Sequence, residues 1–167
     1  SRAAAGTRPA QDLAGAIDDV QDAGRRLDEG TDLELQARLL AGRMLVRTLR
    51  RGNAAELLHG TRASVKGKER RTRLQLELFE GELALDSGAY VDADRHLRRA
   101  VGLARGPALA HEHYHACMAL SATAQLPGNR AGAVPWLRLA RQTAIAFGDG
   151  VRTADACFTV GNLLMAL

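Results

Sequence analysis

His111, Glu112 and His115 stand in the order His-Glu-x-x-His, inside the run His111-Glu112-His113-Tyr114-His115. On a helix, His111 and His115 share one side and can hold a zinc ion together, with Glu112 placed as a general base. A catalytic zinc also takes a third protein ligand. Beyond His115 the chain has no further histidine or glutamate, and only Asp149 and Asp155 remain as carboxylates. The motif falls in the opening turns of a helix that a repeat pattern already accounts for. No catalytic residue and no metal ligand is therefore assigned, and a zinc-dependent hydrolase through His111, Glu112 and His115 is the weaker reading. Gly67-Lys68 is followed by Glu69 and lacks the upstream glycine of a phosphate-binding loop. No Gly-x-Ser-x-Gly elbow occurs either, so the sequence implies no enzyme and no cofactor.

Arg62, Lys66, Lys68, Arg70, Arg71 and Arg73 form a basic run offset only by Glu69, in a chain of net charge +4. A phosphate backbone attracts such a run. No aromatic residue interleaves with it and no reading-helix motif adjoins it, so it reads as a solvated helix face and nucleic acid is not the expected partner. Cys117 and Cys157 are too few for a disulfide framework and fit a reducing, cytoplasmic compartment. Spaced 40 residues apart, they read as small packing residues. No apolar run has the length of a membrane span, and no signal-peptide pattern appears.

The elements that position these residues are helices. Hydrophobic residues make up 46% of the chain and aromatics only 4%, with abundant alanine and few β-branched runs, which favours helices in close contact. Periodicity and turn residues place about eight of them: Gln11 to Glu29, Thr31 or Asp32 to Arg51, Ala54 to Val65, Glu69 to Asp86, Tyr90 to Arg105, Pro107 to Gln125, Ala131 to Phe147, and Val151 to the end. Pro135 falls near the first turn of the seventh, where proline is tolerated. Leu13, Ile17, Leu35, Leu39, Leu45 and Leu49 are among the expected inward residues of the first two helices. Residues 1–10 read as a linker or frayed terminus, and 11–167 as a single helical domain. The first helix resembles the second half of a hairpin, and the last resembles a first half. The expectation is a fragment of a longer array.

The fourth and fifth helices carry Gly81, Ala84, Gly88, Tyr90, Ala93, Leu97 and Ala100. Small residues let two helices approach, and Gly88 can take the left-handed conformation that ends the first of them. Forty residues on come Ser121, Ala124, Gly128, Ala133, Leu137 and Ala140, the same pattern again. It resembles the tetratricopeptide consensus, with a period of 40 in place of the usual ~34. The resemblance covers Arg73 to Leu167, whereas residues 11–65 fit only as helices. It implies an all-α fold of antiparallel hairpins stacked as a right-handed superhelix. With the junction Phe147-Gly148-Asp149-Gly150, the longer helices resemble those of MalT-like regulators, the large ATP-binding LuxR-type transcription factors of bacteria.

That resemblance implies a non-catalytic sensing or protein-interaction module, with a protein, peptide or small effector in a concave groove and oligomerisation compatible with it. A general adaptor unrelated to transcription is the alternative. Stepping by 40 along the first helices gives the groove rows: Gln75, His115 and Asp155; Leu78, Met118 and Phe158; Glu82 and Asn162 on either side of Ala122; and Leu85, Gln125 and Met165. Two readings of the apolar row stay open. Either Leu78, Met118 and Phe158 line the groove, or they are core residues touching the next hairpin.

Overall fold

Residues 8–48 and 50–166 are described in the computed structural model, with side chains from Gly15 onward. Among them the chain forms eight α-helices and no strand: α1 (Arg8–Arg25), α2 (Asp32–Arg47), α3 (Arg51–Arg62), α4 (Arg70–Asp86), α5 (Tyr90–Leu103), α6 (Ala110–Gln125), α7 (Arg130–Ala146) and α8 (Gly150–Met165). Single 3-10 turns lie at Ala63–Val65 and Pro107–Leu109. The all-α expectation and the helix count hold. Helix α1 begins at Arg8 rather than Gln11, and α3 at Arg51 rather than Ala54. Helix α6 begins at Ala110 rather than Pro107, because Gly106 at φ 96° and the proline ring make a tight turn first. Pro135 lies beyond the first turn of α7, deeper than expected, on its exposed side. Leu49 and the side chain of Leu13 lie outside the described residues.

The chain divides into two compact units, Ser1–Phe79 and Glu80–Leu167, with the boundary inside α4. In the first unit, Ile17, Leu35, Leu39, Leu45, Leu74, Leu78 and Phe79 are buried. Each leucine so placed contributes about 1.5–3 kcal/mol relative to exposure. Thr31 caps α2 by accepting from the Glu34 amide at 3.3 Å, and the Glu34 carboxylate accepts from the Gly30 amide at 3.2 Å. The Phe79 ring lies on Gly42, where a Cβ would collide with it, so α2 and α4 approach closely. A polar seam joins the same two helices. Asp32 accepts from Thr72 Oγ1 at 2.5 Å and from the Glu69 amide at 3.1 Å, and Arg43 donates to Gln75 at 2.8 Å.

From α4 to α8 the repeat seen in the residues is repeated in the backbone. Helices α4, α6 and α8 begin at 70, 110 and 150, and α5 and α7 at 90 and 130. Gly88 and Gly128 both take positive φ, at 79° and 93°. Two bonds recur in both turns: the Gly88 and Gly128 amides donate to Leu85 and Gln125, and Tyr90 and Arg130 donate back to Gly88 and Gly128, all at 2.9–3.1 Å. Ala93, Leu97 and Ala100 are fully buried, and so are Ala133, Leu137 and Ala140. A Cβ on Gly81 would lie 2.6 Å from Leu97 Cγ, so glycine is what admits the leucine. Behind α6, Tyr114 and Cys117 pack with Ala140, Ala144 and Ala156, while Ala133 and Leu137 pack with Leu163.

Candidate functional site

A polar surface of the second unit lies where α6 meets the start of α8. Asp149 caps α8, its Oδ1 accepting from the Arg152 amide at 2.9 Å, and its carboxylate also pairs with the Arg152 guanidinium. The Arg152 amide, helped by the guanidinium, holds the Asp149 carboxyl below the usual carboxylate range. That guanidinium stands 5.8 Å from the centre of the Tyr114 ring. The Tyr114 hydroxyl donates to Asp155 Oδ2 at 2.6 Å, tying α6 to α8. Burial, and then the Asp155 carboxylate, push the ionisation of this phenol above its ordinary value. His111, Tyr114, Phe147, Asp149 and Arg152 line a cleft of about 260 Å³.

A second cleft, of about 410 Å³, shares Phe147 and Thr143 and adds Arg105, His113 and Gln142. His113 Nδ1 is 2.8 Å from Thr143 Oγ1, and burial lowers the pKa of its ring, which keeps it neutral near pH 7. Cys117 Sγ lies 3.9 Å from the same nitrogen. Burial pushes that thiol up to about 12, the opposite of an activated nucleophile. The two clefts together offer a cation, a phenol and imidazoles beside an apolar wall. Such a set suits a carboxylate or peptide segment better than covalent chemistry.

The residues singled out in the sequence are scattered over both units. In the first, Gln75 is half-buried against Arg43, and Leu78 is completely inaccessible. In the second, Glu82 is half-buried, and half-buried His115 touches the rings of His111 and Tyr114 edge-on, with centroids 4.4 Å and 5.7 Å away. Met118 is half-buried against Ala133, Leu137 and Leu163. Asp155 and Asn162 are exposed, and Phe158 is 69% exposed. The apolar row thus runs from core at Leu78 to surface at Phe158. Cys117 is buried as a packing residue, but Cys157 is exposed, because no described element lies against that side of α8.

His111 is exposed while Glu112 is 5% exposed, so the two face different sides of α6. Among the described residues, no third ligating atom gathers with His111 and His115 at metal-ligand spacing. In the basic run, Lys68 donates to the Gly30 carbonyl at 2.6 Å and so helps hold the first unit together. The sequence reading named Phe147 and Asp149 only within a junction, not as site residues, and missed Arg152, although the Asp149-x-x-Arg152 cap was a usable signal. It also missed a buried pair, His96 Nδ1 with Glu80 Oε2 at 3.0 Å, whose partners sit on different helices.

No family model, curated protein or solved structure matches this chain.

Proposed function

We propose that this chain is a non-catalytic array of tetratricopeptide-like hairpins that binds another protein through the surface of α6 and α8. The observation that carries the reading is the 40-residue recurrence of helix starts, turn bonds and buried Ala-Leu-Ala faces. Repeat architectures of this kind present side chains from successive hairpins on one continuous surface. On α6 and α8 that surface holds Arg152, His111 and Tyr114 beside Phe147, a charged and apolar mixture suited to a peptide. The MalT-like resemblance gives the binding a use, as the sensing part of a cytoplasmic bacterial transcription factor whose state the bound protein biases. A tetratricopeptide adaptor unrelated to transcription is the second reading.

The test is selection of a random peptide library on the purified chain. Enriched peptides should lose at least tenfold in affinity on Phe147→Ala, and equally on Arg152→Glu when measured below the melting transition of that variant, which also loses its pair with Asp149. Enrichment of nothing, or of peptides indifferent to both changes, sinks the reading. Metal analysis of tag-free protein separates the hydrolase alternative: one tightly held zinc per chain, lost on His111→Ala, would favour it.

A further inference from the structure

The first unit holds two adjoining clefts among α1, α2 and α3, with linings that fall between Val20 and Thr61, well inside the chain. One, of about 220 Å³, has Val20, Gly24 and Ala41 in its wall. The other, of about 350 Å³, has Leu45, Asn53 and Glu56. Gln21, Arg38 and Leu57 line both. Arg38 is anchored: its Nε pairs with the carboxylate of Glu34, which is 2% exposed and accepts from the Gly30 amide at 3.2 Å. A guanidinium carries five N–H donors, so this one pairing leaves others for a ligand. Among the described residues Arg38 has no other partner, and exposed Glu56 and half-buried Gln21 have none. Arg38 and Glu56 thus share a cleft, carry opposite charges and do not pair with each other.

We infer that these clefts bind a free α-amino acid with an apolar side chain: Arg38 takes the carboxylate, Glu56 takes the ammonium, and the wall of Val20, Ala41 and Leu57 takes the side chain. The site is independent of the α6–α8 surface. Opposite charges that share a cleft without neutralising each other suit a zwitterion, because each ligand charge then meets its complement. A simple carboxylate would leave Glu56 facing its own sign, and a simple amine would do the same at Arg38. Gln21 reaches both clefts with an amide that donates and accepts, so it can bond to either end of the ligand head. The smaller cleft adds the apolar surface that sets which side chain is accepted. One cleft is below the usual size of ligand pockets and the other near its lower end, which suits an amino acid better than a peptide or a large cofactor.

The test is calorimetry of the full chain with L-leucine, L-valine, L-methionine and L-phenylalanine, at least one of which should bind saturably at a single site. Removing either charge from the best of them should weaken binding at least tenfold; for leucine the probes are isocaproate and isoamylamine. Glycine, which lacks the side chain, should be weaker by as much. On the protein, Glu56→Gln changes an exposed group of α3 and should cost at least tenfold in affinity with melting unchanged. Arg38→Lys keeps a cation beside Glu34 but loses the planar fork, and should cost as much. Should Arg38→Lys lower the melting temperature, Glu56→Gln decides alone. Phe147→Ala should leave amino-acid binding unchanged, which separates a failure here from a failure of the α6–α8 cleft. Binding of none of the four amino acids overturns the inference, and so does binding indifferent to Glu56→Gln. Equal affinity for isocaproate would make this a site for simple acids and overturn it as well.

Discussion

The Tyr114 hydroxyl reaches across from α6 to donate to Asp155 on α8 at 2.6 Å, a contact between residues 41 apart in the chain. Tyr114 is 4% exposed and Asp155 is exposed, so the bond sits at the edge of the core. Tyr114→Phe keeps the packing and leaves Asp155 to water. The expected loss is about 1 kcal/mol in a denaturant melt. The phenol ionises above its ordinary value in the fold, whereas in the unfolded chain it ionises near ~10. Its contribution is therefore fully present below about pH 10 and is lost as the pH rises from there through the raised folded value. Alkaline titration of stability should show this loss in the parent and a smaller one in Tyr114→Phe.

Gly81 and Gly161 occupy the same repeat position with opposite surroundings. Gly81→Val should overpack against Leu97 and cost about 1–3 kcal/mol. Leu97→Ala alone should cost about 2–5 kcal/mol. The double variant should fall short of their sum by about 0.5–3 kcal/mol, because the alanine makes room for the valine. Gly161→Ala meets nothing and should stabilise α8 by up to about 1 kcal/mol. Thermal melts of the four variants check the set; a cost at Gly161 as large as that at Gly81 would contradict the open surroundings of Gly161.

Asp149 contributes through its charge and its cap. The group is held below the usual carboxylate range by the Arg152 amide and then by the guanidinium. Its contribution is present above the unfolded value near ~3.9 and disappears as the pH falls through the depressed folded value. Asp149→Asn retains an oxygen that caps the helix but cannot titrate. Melting at neutral pH should fall modestly, by the charge contribution that asparagine lacks, and the acid limb of the stability curve should flatten relative to the parent. Asp149→Ala should lower the melting temperature at both ends.

The two cysteines should separate by reactivity. Cys157 is exposed and Cys117 is buried, with its thiol pushed up to about 12 by that burial. A thiol-specific chromogenic reagent at pH 8 should titrate one group in the native protein and two in denaturant, and none in native Cys157→Ser. Rapid reaction of both native thiols would mean that the α6–α7–α8 core opens readily.

Periodicity alone determined that this chain is helical, where most helices start and stop, and that hairpins recur every 40 residues. Those features are local: Gly88 and Gly128 must turn left-handed wherever the chain goes, and Ala93, Leu97 and Ala100 must share one face of any helix they form. Surroundings are not local. Leu78, Met118 and Phe158 hold one register position, yet they end as core, half-buried and exposed, because what covers a helix face is set by whichever element packs there. The same holds for His111 and Glu112, adjacent in sequence and turned to different sides of α6. It holds too for Tyr114 and Asp155, distant in sequence and hydrogen-bonded. Spacing along the chain fixes direction around a helix axis; only the tertiary structure decides what lies in that direction.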